Sequence, residues 1–363
     1  EPPIGPNSGA GESPTDYFET IIYEGNGSTQ NIAVDFKPDW TWIKNRDTTD
    51  AHQVFDSNRG ATNALSPNTT AADAANDDTL TAWNSDGFVL GNREPINANT
   101  EGYVSWNWKA NGGTATATIS ESGNNPAASV QANAKAGFSI ITYTGTGGNG
   151  TIAHGLGAVP KLMIFKNRTN GTTDDWMVYH GENSAYTSSA NQTISPEDEH
   201  LHLNNTLLSA NIAENFNDTA PTSSVLTVGT THNVNADGET YVAYVFAEID
   251  GYSKFGSFIG IQESDGTFAY TGFSPAFVIC KLTNGGTTAH WAIFDNKRET
   301  VNVNDNVLFI NAGAENSAVN DRSVDFLSNG FKVRSNAFRI NGDADTVVYI
   351  AFSEMPFKYA NAK

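Results

Sequence analysis

The chain has 363 residues, with 40 Asp or Glu against 20 Lys or Arg and a formal net charge of −20. So acidic a chain lacks the basic face that nucleic-acid binding needs to displace counterions, and charge does not draw it to an anionic bilayer. Its length suggests roughly two to four domains, and its low charged fraction of 17% leaves room for Asn, Thr, Ser and Gly, residues suited to turns and solvent-facing strand positions.

Residues 1–16 carry four prolines and three glycines, which exclude regular structure and read as an arm. Because Glu1 rather than Met opens the sequence, the chain reads as processed or as part of something longer. Phe18-Glu-Thr-Ile-Ile-Tyr23 alternates like a strand and stops at the turn signal Glu24-Gly25-Asn26-Gly27. Trp40-Thr-Trp-Ile43, His52-Gln-Val-Phe55 and Phe88-Val-Leu90 read as further short strands. Tyr103-Val-Ser-Trp106-Asn-Trp108 closes a first module spanning 17–110.

Residues 111–136 have no large side chain beyond Ile119 and Val130 and read as a linker, though their Thr-Ala alternation suits an edge strand. A second module spans 137–250, and a third, 251–363, follows at once. The short junction implies that the second and third pack rigidly together and that the first is freer. Short helices are expected only at Ala71–Ala75 and Thr206–Glu214.

The three modules repeat one another. Shifting the second by 115 residues maps Tyr143 onto Phe258, Pro160 onto Pro275, Lys166 onto Lys281 and Tyr179 onto Phe294 without a gap. Lys44-Asn45-Arg46 matches Lys166-Asn167-Arg168, and Asn97, Asn235 and Asn341 close equivalent loops. A unit this long is a domain rather than a solenoid turn. Short strands with turns every ~8–12 residues point to all-β architecture: three tandem related β-sandwich modules, jelly-roll-like, with few short helices.

The strings Tyr23-Glu-Gly-Asn-Gly-Ser-Thr-Gln30, Phe36-Lys-Pro-Asp-Trp-Thr-Trp-Ile-Lys-Asn-Arg46 and Trp291-Ala-Ile-Phe-Asp-Asn-Lys-Arg298 resemble a repeat domain of marine tailed-bacteriophage virion proteins, tail fibre and tail structural proteins among them. The resemblance runs from Tyr17 to about Lys358 and brings no catalytic residues. It implies a virion protein assembled in the host cytoplasm and displayed on the particle surface. The second module departs from the pattern at Ser223–Leu226 and carries an insertion around 195–220.

Positions kept in all three copies read as scaffold. Trp40, Trp42, Trp106 and Trp108 align with apolar residues of the other copies and read as core. Asp56 and Arg59, repeated as Asp295 and Arg298, read as a structural turn, and Cys280 as a buried thiol. Unshared residues are left as ligand-binding candidates. Trp83 stands in a polar stretch and offers a plane for a sugar ring, and Tyr186 lies in the wider unshared stretch 183–220. His200 and His202 share one face of a strand after Glu197-Asp-Glu199. Two imidazoles without a third placed ligand make a poor metal site, so no metal or cofactor is expected. Their acidic neighbours would favour protonated imidazole near pH 6.

No nucleophile elbow, zinc-protease helix or phosphate loop occurs, and the expectation is a non-enzymatic protein. The leading reading is a tail fibre or appendage, a homotrimer, that contacts a host surface polysaccharide or receptor and joins other virion proteins through residues 1–16. The alternatives are a capsid-decorating or cement protein with no ligand and, less favoured, a polysaccharide depolymerase. Neither nucleic acid nor membrane insertion is expected.

Overall fold

The computed structural model describes residues 13–169, 174–183, 195–285, 289–313, 317–318 and 321–354. The protein is all-β, with 43% strand and 6% helix in a β-sandwich-like architecture. Alternating runs become strands because successive side chains point to opposite faces of a sheet, and here most of those faces are buried.

Three large antiparallel sheets share one strand order. In the first, Phe18–Glu24 lies beside Gly102–Trp108, followed by Trp40–Asn45 and Gln53–Asp56. In the second, Phe138–Thr144 lies beside Thr240–Ala247, followed by Pro160–Asn167, Met177–His180, Glu199–His202 and Ala210–Asn211. In the third, Ser253–Ile259 lies beside Thr346–Phe352, followed by Phe277–Leu282, Ala292–Asp295, Asn306–Phe309 and Ser317–Ala318. A strand late in each segment thus inserts between two early ones.

Small sheets cover one face of each large sheet. Gln30–Ala33, Gly87–Leu90 and Leu80–Asn84 form the first, Gly150–Ala153 and Val225–Val228 the second, and Phe268–Tyr270, Gly330–Val333 and Val324–Leu327 the third. A separate apolar cluster fills each of these pairs. The opposite faces of the large sheets meet in one shared cluster. Trp40, Trp42, Trp106 and Trp108 reach it from the first sheet, Leu162, Ile164, Tyr244 and Phe246 from the second, and Phe277, Ile279, Ile350 and Phe352 from the third. Alternation sorts the side chains: Trp42 points to the shared cluster and Ile43 to the local one.

Ring contacts cross every boundary in the shared cluster. Trp40 stacks on Tyr244 at 4.5 Å, Trp106 lies 5.5 Å from Phe277, and Phe246 lies 5.7 Å from Phe352. Each such side chain, fully buried, contributes roughly 1.5–3 kcal/mol relative to exposure. The first segment is therefore not freer than the others, because its tryptophans pack against both.

Residues 111–136 also depart from the linker expectation. Ala117–Ile119 and Ala128–Asn133 extend the second large sheet, with Val130 buried on its inner face. Small side chains let this segment lie flat on an edge that would otherwise be open. Ala74–Ala75 and Ala210–Asn211 are short strands rather than helix; the described α-helices are Ala213–Phe216, which overlaps the end of the second expected stretch, and Glu94–Asn97 and Phe338–Asn341, which lie outside both expected stretches. Alanine's helix propensity yields here to cross-strand pairing. Ser13 and Asp16 cap a single turn over Pro14–Asp16 at the start of the described chain; the rest of the expected arm lies outside the described residues.

The repeated glycine Gly25, Gly145 and Gly260 has a packing cause. A Cβ there would fall 2.1–2.2 Å from the carbonyl oxygens of Ala98, Ala236 and Gly342 respectively, a gap only a hydrogen fits.

Candidate functional site

The polar residues that recur along the chain are concentrated where the three large sheets meet. His52, Trp176 and Trp291 stand three residues before Phe55, Tyr179 and Phe294, at one repeated position. Their backbone N–H groups donate to the side-chain oxygens of Asn68, Asn204 and Asn311 at 3.1, 2.9 and 2.9 Å. Their rings then reach a neighbouring segment: His52 Nε2 donates to Phe309 O at 2.9 Å, Trp176 Nε1 to Thr69 O at 3.1 Å and Trp291 Nε1 to His202 O at 2.8 Å. The contacts run from first segment to third, third to second and second to first, which closes a ring.

A second set of contacts runs round the same ring. Tyr244 Oη donates to Asp56 Oδ2 at 2.7 Å, Trp106 Nε1 to Asp295 Oδ2 at 3.3 Å and His180 Nε2 to Tyr349 O at 3.1 Å. Asp56 and Asp295 each also pair with a buried arginine, Arg59 and Arg298. Breaking such a pair from one side leaves a buried charge uncompensated, at a cost of about 3–5 kcal/mol.

The repeated lysines belong to the joints as well. Lys166 Nζ donates to Asp174 O at 2.9 Å and, across the joint, to Thr70 O at 2.8 Å. Lys281 Nζ donates to Ala289 O at 2.6 Å and across to Thr206 O at 3.2 Å. Burial pushes Lys281 down to about 7 and Lys166 to about 8, the latter against nearby Asp174 and Asp175. A near-neutral lysine can be a nucleophile, but both ammonium groups are enclosed and held by backbone carbonyls, so they fasten rather than react.

His52 Nδ1 accepts from Trp42 Nε1 at 2.9 Å and His180 Nδ1 from the Glu182 N–H at 3.2 Å, which places the proton of each ring on Nε2. Burial, reinforced by the Lys44 charge, lowers His52 to about 3; burial lowers His180 to about 4.

Of the described ligand candidates, His200 and His202 lie together and Trp83 lies on another sheet. His200 is 1% exposed, stacks on His202 at 5.0 Å, and has no hydrogen-bond partner on either ring nitrogen. Burial, then the charge of His202, lowers it to about 4. His202 is lowered too, by burial against the opposing pull of Asp175, whose Oδ2 lies 3.5 Å from Nδ1. The expectation of protonated imidazoles near pH 6 is thus corrected: desolvation outweighs the acidic neighbours. Among the described residues no three His, Cys, Asp or Glu side chains form a group able to hold a metal. Trp83 lies on the first small sheet opposite Phe88 and packs half-buried on the local core, with its Nε1 enclosed and unpartnered. Tyr186 lies outside the described residues. Cys280 is a buried free thiol.

A cleft of about 200 Å³ lined by Gln53, Ser66, Thr79, Arg93 and Ile96 opens on the first segment, below the ~300–1,000 Å³ usual for small-molecule sites. No helix among the described residues is long and apolar enough to cross a membrane. Repetition marked the joint residues as scaffold, but not that their side chains reach into the next copy. A polar residue at one strand position, Asp56, His180 or Asp295, is the signal that betrays it.

No curated protein and no solved structure matches the chain. One family model matches residues 13–356, running across all three large sheets, and the chain belongs to that family, the domain of unknown function DUF7483.

Proposed function

We propose that the chain is a non-enzymatic structural protein of a phage virion, built from three related jelly-roll-like modules of about 17–110, 137–250 and 251–363 that close into one rigid block. The observation that carries this reading is the use made of the repeated polar residues. Asp56, Arg59, Lys166, His180, Lys281, Asp295 and Arg298 are buried and occupied in holding sheets and segments together. An enzyme keeps such groups accessible to substrate. The phage assignment itself rests on the sequence resemblance.

Within the virion, the leading reading is a tail fibre or appendage that touches a host surface glycan or receptor, where association of three chains would multiply weak contacts through avidity. The second reading, a capsid-decorating protein without a ligand, is favoured by one observation: His200 is buried and His202 mostly so at the joint between second and third segments, so Trp83 is the one described candidate left outside the joints. Locating the protein's density on assembled particles decides between them. Density at the tail supports the appendage, and copies ordered across the capsid lattice defeat it. Host polysaccharide incubated with the protein should yield no new reducing ends; their release would sink the non-enzymatic reading.

A further inference from the structure

Ser253–Ile259 is the edge strand of the third large sheet; among the described residues it pairs with Thr346–Phe352, and its first residue also bridges Ile249. Antiparallel pairing turns the backbone groups of successive residues to alternate sides. Gly260 donates to Asp345 O and accepts from the Ala344 N–H, and Tyr252 O accepts from the Ser353 N–H. The even-numbered residues therefore bond inward, and Phe255, Ser257 and Ile259 turn their backbone groups to the open side. A shift of 115 places these three on Ile140, Thr142 and Thr144, which the second sheet covers. There Ile140 pairs with Gln131 and Thr142 with Ser129, and the Thr144 N–H donates to Ala127 O at 3.2 Å. The same segment bends over the adjoining small sheet, where Asn125 Oδ1 accepts from the Thr151 N–H at 2.8 Å.

Among the described residues the third sheet has no such strap, and only residues 248–252 separate its first strand from the last strand of the second sheet. Nor is its edge guarded as the first sheet's is. There Glu354 accepts from the Thr20 N–H at 3.1 Å, and Glu19 and Glu24 lie on the strand, charges of the kind that keep an edge from pairing. From Phe255 to Gln262 the third sheet bears no charge. Ser257 and Gln262 are exposed there, beside apolar side chains that are exposed as well: Ile259 at 51% and Ile261 at 45%, with Phe268 at 41% and Tyr270 at 63% on the adjoining small sheet. Thr267 Oγ1, bonded to Ile259 O at 2.7 Å, holds the two edge strands side by side.

We propose that this edge accepts an extended strand from a partner polypeptide, antiparallel to Ser253–Ile259, in the place that residues 127–131 take on the second sheet. The occupant is uncharged along the paired stretch, small or β-branched at alternate positions, and turns at its end to cover Phe268 and Tyr270. Backbone bonds supply affinity and the flanking apolar side chains supply selectivity, as in strand addition generally. A second copy of the chain fits less well. Its own rigid edge cannot bend over both sheets as the strap does, and each copy carries a net charge of −20.

The test uses a labelled peptide of residues 124–136, the strap itself, titrated into the full chain and followed by fluorescence anisotropy. Saturable binding is expected, weakened at least tenfold in Ser257→Pro. Proline there removes an N–H that the native sheet does not use, and edge strands tolerate it; an unchanged unfolding midpoint verifies the fold. Ile259→Lys provides an independent variant with the same expected loss. Absence of binding at millimolar peptide, or equal binding by wild type and both variants, overturns the proposal. So does a concentration-dependent dimer of the chain alone that either variant abolishes, which would assign the edge to a second copy.

Discussion

The joints make stability depend on pH through three histidines. His52, His180 and His200 are buried neutral, with folded values of about 3, 4 and 4 against an ordinary 6.5. A group whose folded pKa is depressed contributes stability that is present above its unfolded pKa and lost as pH falls toward the folded value. The loss therefore begins near pH 6.5 and continues to about pH 3–4. At pH 5 the unfolded state binds a proton on nearly every such imidazole while the folded state does not, which costs about 2 kcal/mol per histidine. Three together cost about 6 kcal/mol between pH 7 and pH 5, comparable with a whole domain's stability of ~5–15 kcal/mol. The carboxyls of Asp39 and Glu354, raised by burial, act in the opposite direction.

Chemical denaturation followed by tryptophan fluorescence at pH 7.5, 6 and 5 measures this directly. Wild type should lose most of the predicted stability across that range at constant m-value. A triple variant, His52→Gln, His180→Gln and His200→Leu, should lose far less, whatever its stability at neutral pH. Equal acid sensitivity in variant and wild type would refute the assignment of the pH dependence to these joints, as would a wild type whose stability is flat from pH 7.5 to 5.

Other outcomes follow from the same joints. His200→Leu alone should stabilise the protein at neutral pH by about 1–3 kcal/mol, since it removes two buried unpartnered ring nitrogens; a destabilised variant in urea titration would mean the ring has a partner in solution. Asp56→Asn should cost about 3–5 kcal/mol by stranding the buried Arg59, and a loss under about 1 kcal/mol would discount the ion pair. Phe277→Ala should cost about 3–5 kcal/mol and lower a single calorimetric transition, whereas separate transitions for the three segments would contradict the shared core. If the fibre reading holds, Trp83→Ala should weaken binding to host polysaccharide on a glycan array, read well below an unfolding midpoint that the lost packing lowers; undiminished binding removes Trp83 from the site.

Strands and core were legible because period-two alternation reports burial wherever a strand has two packed faces. Trp40, Trp42, Trp106 and Trp108 read as core in the sequence and are core. The place of residues 111–136 was not legible. Ala and Thr repel nothing and anchor nothing, so composition suggests a linker, while the decisive fact is an open sheet edge beside them that only the fold creates. The histidines misled for a related reason. Glu197, Asp198 and Glu199 precede His200 in sequence, but the ring's environment is set by the joint it enters, where desolvation dominates.

The ring also explains why repetition did not produce separable domains. Each large sheet has a second apolar face, and each joint pairs donors of one segment with acceptors of its neighbour, in both directions between the second and the third. A chain cut to two segments would expose one sheet-sized face on each, and would leave the polar joints to the missing segment with donors or acceptors unmet. Duplicated arrays in which each unit touches only its neighbours tolerate such truncation when their ends are capped. This one has no ends to cap. Deleting residues 251–354 should therefore give an insoluble or unfolded product rather than a stable two-segment fragment. A soluble, cooperatively folded fragment of residues 13–250 would overturn the interdependence argued from the shared cluster and the joints that close on Phe309 and Tyr349.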